Sequence, residues 1–198
     1  MNSRVLCLTG PVAIIAAWLV IFVSAHLNPW FSIWVNAFSD LGGPRALYPW
    51  VYNYGMMLVG SMVALFGSCL VVRGLDKLQD VGGSFFIIAG IFLVLIGLFH
   101  EGTYPHVFVS KWFFVQADLS AFTWGMGSLA SGLRRTGAAE LMISLAGPVG
   151  ALAVRWQSGA LIEAYGIVLI DVFAALAFFD ATRSLTRHYS RQPQGTSL

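Results

Sequence analysis

The residues able to do chemistry fall into two groups. The first is imidazole and carboxylate: His26, Asp40, His100, Glu101, His106. Each follows or adjoins an apolar stretch. Imidazole with carboxylate is the ligand set of Zn²⁺ and similar divalent ions. This reading takes His26, Asp40, His100 and His106 as metal ligands. Glu101 or Asp118 would act as general base on a metal-bound water. The same histidines suit a haem b, with His26 and either His100 or His106 as axial ligands. No C-x-x-C-H run is present, so such a haem would be held without covalent attachment. There is no H-E-x-x-H motif. His100 and His106 are six apart with Gly102 and Pro105 between them, so they cannot share one helical face.

The second group lies inside apolar stretches. Asp118 falls about ten residues into one, and Asp171 near the middle of another. A charge at that depth costs several kcal/mol, so such residues are functional candidates by default. Each could instead be a carboxyl bonded to a neighbouring helix. Asp118 is expected to face the interior, with Asn53 or Glu163 as its partner. Glu163, near one end of its stretch, could also join the first group, as could Ser39. Glu140 and Asp180 are expected at stretch ends, where surface pairing with Arg134, Arg135 and Arg183 suffices. No G-x-S-x-G elbow occurs, and Gly42-Gly43 and Gly82-Gly83 lack the strand of a phosphate loop. Cys7 and Cys69 make no disulfide framework and read as small buried hydrophobes without a neighbouring base.

The elements that must position these residues are set by composition. Of 198 residues 58% are hydrophobic and 10% charged, the net charge is +2 and the mean hydropathy is +0.76. Soluble domains carry about 25% charged residues. A soluble enzyme, a disordered chain and a nucleic-acid binder are thereby excluded. What remains is an all-α polytopic transmembrane bundle. A hydrocarbon core of about 30 Å needs about 20 apolar residues per helix. Six stretches qualify: 5–25, 49–72, 81–99, 108–133, 139–154 and 160–181, the fifth interrupted by Pro148. Val23-Ser24-Ala25 resembles a signal cleavage site, but the first apolar run is longer than a signal core, so it is expected to stay as a span.

Lys and Arg set the orientation. With the N-terminus inside, eight lie inside and three (Arg45, Lys111, Arg155) outside. Both termini are then cytoplasmic, and His26, Asp40, Glu101 and His106 all lie at the outer edge. Trp30, Phe31, Trp34 and Phe38 recur at helical spacing, which predicts an interfacial helix after the first span. Small residues four apart (Gly60, Ala64, Ser68; Ala117, Ala121, Gly125) predict close helix packing. The bundle is expected over 1–183, and a polar, disordered cytoplasmic tail over 184–198.

Ser39-Asp40-Leu41-Gly42 precedes a span near Asn53. Gly97-Leu98-Phe99-His100-Glu101-Gly102 is followed by His106, Ser110, Phe113 and Phe114. Together these resemble the membrane family called domain of unknown function 998. The resemblance implies six spans, an outer S-D-L-G motif and an F-P-E-like turn before a histidine. It implies no activity. Where the family often has proline after the phenylalanine, this chain has His100. The resemblance draws attention to Ser39, Asp40, Glu101 and His106.

Three functions follow as expectations. The first is a metal-dependent hydrolase of a lipid or lipid-linked substrate at the outer leaflet. The second is a bis-histidine b-type cytochrome. The third is a proton- or cation-coupled carrier, or a subunit of a larger membrane complex. The expected partners are membrane lipid and, for the third reading, a second copy or other membrane subunits; the expected location is the cell membrane.

Overall fold

The computed structural model describes residues 3–189, with side chains from 4 to 182. Six helices follow one another: α1 (Ser3–Leu27), α2 (Pro49–Arg73), α3 (Lys77–Leu98), α4 (His106–Ala130), α5 (Arg134–Ala153) and α6 (Gly159–Tyr189). A short 3₁₀ turn, Phe38–Gly42, lies between α1 and α2. Among the described residues there is no strand. Local chemistry explains several boundaries. Pro49 opens α2 at a position whose N–H would be unpaired anyway. Asp76 caps α3 by accepting from the Leu78 N–H at 2.7 Å. Gly132, at φ +81°, turns the chain after α4.

All helices except α4 are long and apolar enough to cross a membrane. α4 is equally long, 25 residues, but carries Lys111, Gln116 and Asp118. It nevertheless runs antiparallel to α3 along its length. Phe92 of α3 meets Phe108 of α4, and Gln79 of α3 bonds Ser128 of α4. The helices turn apolar side chains outward: Ile15, Leu19 and Phe22 on α1, Leu145 and Val149 on α5. Water would penalise such faces and lipid does not. The chain is a multi-pass membrane protein.

Helices α2 to α5 pack as consecutive antiparallel hairpins. α1 lies on α2, and α6 closes the bundle against α1, α2, α4 and α5. The α2–α3 contact is set by glycine. A Cβ on Gly60 would lie 2.7 Å from the Gly90 carbonyl oxygen and 2.6 Å from the Val94 nitrogen. Ser68 turns its hydroxyl back to the Ala64 carbonyl at 3.0 Å. Phe66, Phe86 and Phe173 stack edge to face at 5.9 and 5.5 Å, joining α2, α3 and α6.

Four expectations are corrected. The aromatic stretch 28–37 forms turns, not an interfacial helix. Its asparagines take the backbone bonds a helix would make: Asn28 Oδ1 accepts from the Leu47 N–H at 2.8 Å, and Asn36 Oδ1 from Ser32 at 2.9 Å. Cys7 and Cys69 are buried as expected but joined in a disulfide, with Cα atoms 5.1 Å apart. α6 continues to Tyr189, so residues 184–189 are helical and not tail; residues 190–198 lie outside the described residues. Glu140 and Asp180 are buried rather than at the surface, with Glu140 facing Trp124, Ser128 and Asp180.

Candidate functional site

The connections 28–48, 99–105 and 154–158 all lie at one end of the bundle, the long-loop end. There the 3₁₀ turn folds inward. Phe38 and Leu41 are buried, and Asp40 Oδ2 accepts from the Ala37 N–H at 2.9 Å. Glu163, one turn into α6, accepts from the Phe38 N–H at 2.6 Å. Asn53 of α2 donates to the Gly42 carbonyl at 3.0 Å. The same Asn53 and Tyr52 leave no room for a side chain at position 42, which explains the glycine of S-D-L-G. Glu101 rests its Cβ on Gly43.

Next to this turn, His106 opens α4 and is 4% exposed. Its Nδ1 lies 2.8 Å from the Phe99 carbonyl, which can only accept, so Nδ1 carries a proton. Nε2 lies 2.9 Å from Glu101 Oε2 and 3.3 Å from Ser110 Oγ. His100 uses its own Nδ1 on the Glu101 carbonyl at 2.9 Å. Glu163 interacts electrostatically with both Asp40 and Glu101, and Tyr52 with Glu163 and Asp40. Asp40, Glu101, Glu163, His106, Tyr52 and Ser110 therefore form one polar cluster.

Beneath the cluster the bundle is hollow. A cavity of about 90 Å³ is lined by Ser39, Tyr52, Ser110 and Glu163 at the top and by aliphatic and phenylalanine side chains below. That is room for about three waters. Asp171 also lines it and accepts from the Trp18 indole N–H at 2.8 Å. A second, larger space of about 600 Å³ is a groove between α4, α5 and α6. Its walls are apolar apart from Lys111, Asp118, Tyr165 and Glu163. Glu163 lines both spaces.

The expected site residues separate accordingly. Asp40, Glu101, His106, Ser39, Asn53 and Glu163 come together. His26 does not join them: it ends α1 with an outward-turned side chain. His100 reaches only the Glu101 backbone. Asp171 is held by Trp18, a partner not foreseen. Asp118 is half-buried in the groove beside Gly147, away from Asn53, with no hydrogen-bond partner among the described residues. Tyr52 and Trp18 were missed because nothing in their spacing links them to distant carboxylates.

The residues do not fit the expected metal. Among the described residues no three His, Cys, Asp or Glu side chains are grouped to hold an ion. His106 has both ring nitrogens engaged, and His26 is turned outward. They fit a haem no better: none of His26, His100 and His106 lines either of the two spaces.

The two interior aspartates make opposite predictions. Asp171→Leu strands the Trp18 N–H and should cost about 1–3 kcal/mol. Asp118→Leu breaks no bond and removes a carboxylate from an apolar groove, so it should leave stability unchanged or raised. Thermal unfolding of both variants in one detergent checks this; equal losses would refute it.

A family profile described as "Protein of unknown function (DUF998)" matches residues 11–180. No curated protein and no solved structure matches the chain.

Proposed function

Because the chain belongs to the DUF998 family, whose description carries no activity, we propose a function from the site itself: binding of a single-chain, lipid-like amphiphile taken from the outer leaflet of the cell membrane. The polar head lies against Asp40, Glu101, His106 and Glu163, and the chain lies in the groove between α4, α5 and α6. The observation that carries this reading is the position of Glu163, which belongs to the polar cluster and lines both apolar spaces. A groove of about 600 Å³ falls within the range of small-ligand sites. The eight-to-three bias of Lys and Arg puts the long-loop end outside. Imidazole and carboxylates at the head group supply general acid–base chemistry, which favours turnover of a lipid over mere packing. A carrier role is the second reading. It is favoured by Asp171, a carboxyl on the cavity wall in mid-helix.

A fluorescent lysophospholipid tests the proposal. Gly147 lines the groove, and a Cβ there meets only the Asp118 carboxylate, its Oδ1 at 2.9 Å, a flexible side chain that can yield. Gly147→Phe should obstruct the groove and lower probe binding at least about 10-fold. Binding unchanged in folded Gly147→Phe protein would refute the groove as the chain site.

A further inference from the structure

The geometry around His106 points to a nucleophile: we propose that Ser110 is a catalytic serine, with His106 as its general base, acting on a carboxylic ester of the bound amphiphile. This deepens the amphiphile reading and rests on it.

Ser110 stands four residues after His106, one turn along the same face of α4. Its hydroxyl is half-buried, lines the cavity below the head-group cluster and lies 3.3 Å from His106 Nε2. A serine is a weak nucleophile unless an adjacent base takes its proton, and that base must itself be oriented by a third group. Here the third group is the Phe99 carbonyl. By holding the proton of Nδ1 it fixes the tautomer whose lone pair is on Nε2, the nitrogen facing Ser110. A buried carboxylate does this in familiar triads, and a backbone carbonyl on a fixed turn does it here.

Glu101 competes for the same nitrogen at 2.9 Å. Its side chain is 38% exposed whereas that of His106 is 5% exposed, so Glu101 is the partner able to swing away. With Glu101 in place, the proton between carboxylate and Nε2 leaves Ser110 without a base. When an ester head group displaces the carboxylate, Nε2 is free. Glu101 is thus a positioning residue, a gate on the base.

The step balances within the site. The Ser110 Oγ–H proton passes to Nε2 as Oγ bonds to the ester carbonyl carbon. The tetrahedral adduct collapses, the bond from carbon to the alcohol oxygen breaks, and the alcohol leaves with the proton from Nε2. Water, or a second alcohol, then gives its proton to Nε2 as its oxygen bonds to the acyl carbon; the bond from that carbon to Ser110 Oγ breaks, and Nε2 returns the proton to Oγ. The Ser39 and Tyr52 hydroxyls line the same cavity and are the O–H donors on its wall.

A long-chain alkyl fluorophosphonate, applied to the full chain in detergent micelles, tests this. Wild-type protein should gain one phosphonyl adduct, mapped to Ser110. His106→Gln should slow labelling about 100-fold or more. Glu101→Gln should hasten it, because an amide holds Nε2 less firmly than a carboxylate; a merely structural Glu101 would not move the rate in that direction. The proposal is overturned by no adduct on wild-type protein, by an adduct elsewhere, or by labelling indifferent to His106→Gln. If that wild-type preparation still binds the fluorescent lysophospholipid, only the nucleophile falls. If it binds neither reagent, the amphiphile reading falls with it.

Discussion

Gly90→Leu should cost more than about 3 kcal/mol and lower the unfolding midpoint by roughly 10 °C or more. A Cβ at Gly90 would run into the Ala64 backbone nitrogen and lie 2.7 Å from the Gly60 carbonyl oxygen. Both obstacles are backbone, so no rotamer relieves them. The helices must separate, and the dispersion contacts that hold two helices together in lipid weaken along the whole seam. A control isolates the cause. Gly132, at φ +81°, has open space where a methyl group would stand, with no neighbour within 4 Å among the described residues. Gly132→Ala should therefore cost only the conformational strain of a left-handed residue, about 1–2 kcal/mol. Thermal unfolding by tryptophan fluorescence measures both. If Gly132→Ala proved the more damaging, close helix approach would not be what secures α2 against α3.

Replacing Cys7 and Cys69 together by alanine should cost about 2–4 kcal/mol. The bond closes a separation of 62 residues and ties the first turns of α1 to the last turns of α2. Both residues are essentially inaccessible, at 1% and 0% exposure. In the proposed orientation they lie at the cytoplasmic end, where thiols are kept reduced. Burial is then what shields the bond. Native protein should resist a water-soluble phosphine, and the same reagent should act once the protein is heated past its transition. Thiols that react with a maleimide after denaturation without reductant would refute the bond. A double-alanine variant as stable as wild type would show that it contributes nothing.

Helix positions were legible because lipid imposes length and apolarity on each segment. Observed helix ends fall within five residues of those read from the chain, except where α6 runs on to Tyr189. The disulfide follows from helix register. Cys7 lies four residues after the start of α1 and Cys69 four before the end of α2, so an antiparallel hairpin puts them at one depth. The cluster of Asp40, Glu101, Glu163 and His106 followed from their common end of the bundle. His26 shared that end yet stayed out, because depth fixes height along the bundle axis and says nothing of direction around the helix. The aromatic spacing of 30–38 misled for another reason: Asn28 and Asn36 supply hydrogen bonds that periodicity does not weigh. Ser110 stood only as a letter in a family pattern; its meaning came from the tautomer that the Phe99 carbonyl imposes on His106.

The bond between Trp18 and Asp171 spans 153 residues of chain. A ribosome adding about 5–20 residues per second delivers the carboxylate roughly 8–30 s after the indole. Throughout that interval α1 has no α6 to rest on, and Phe38 has no Glu163 to bond. The hairpins of α2 to α5 can assemble as they emerge, while the cavity has no far wall. Synthesis order therefore makes the site the last thing the protein acquires. A chain interrupted before Gly159 would insert and pack, yet remain an empty scaffold.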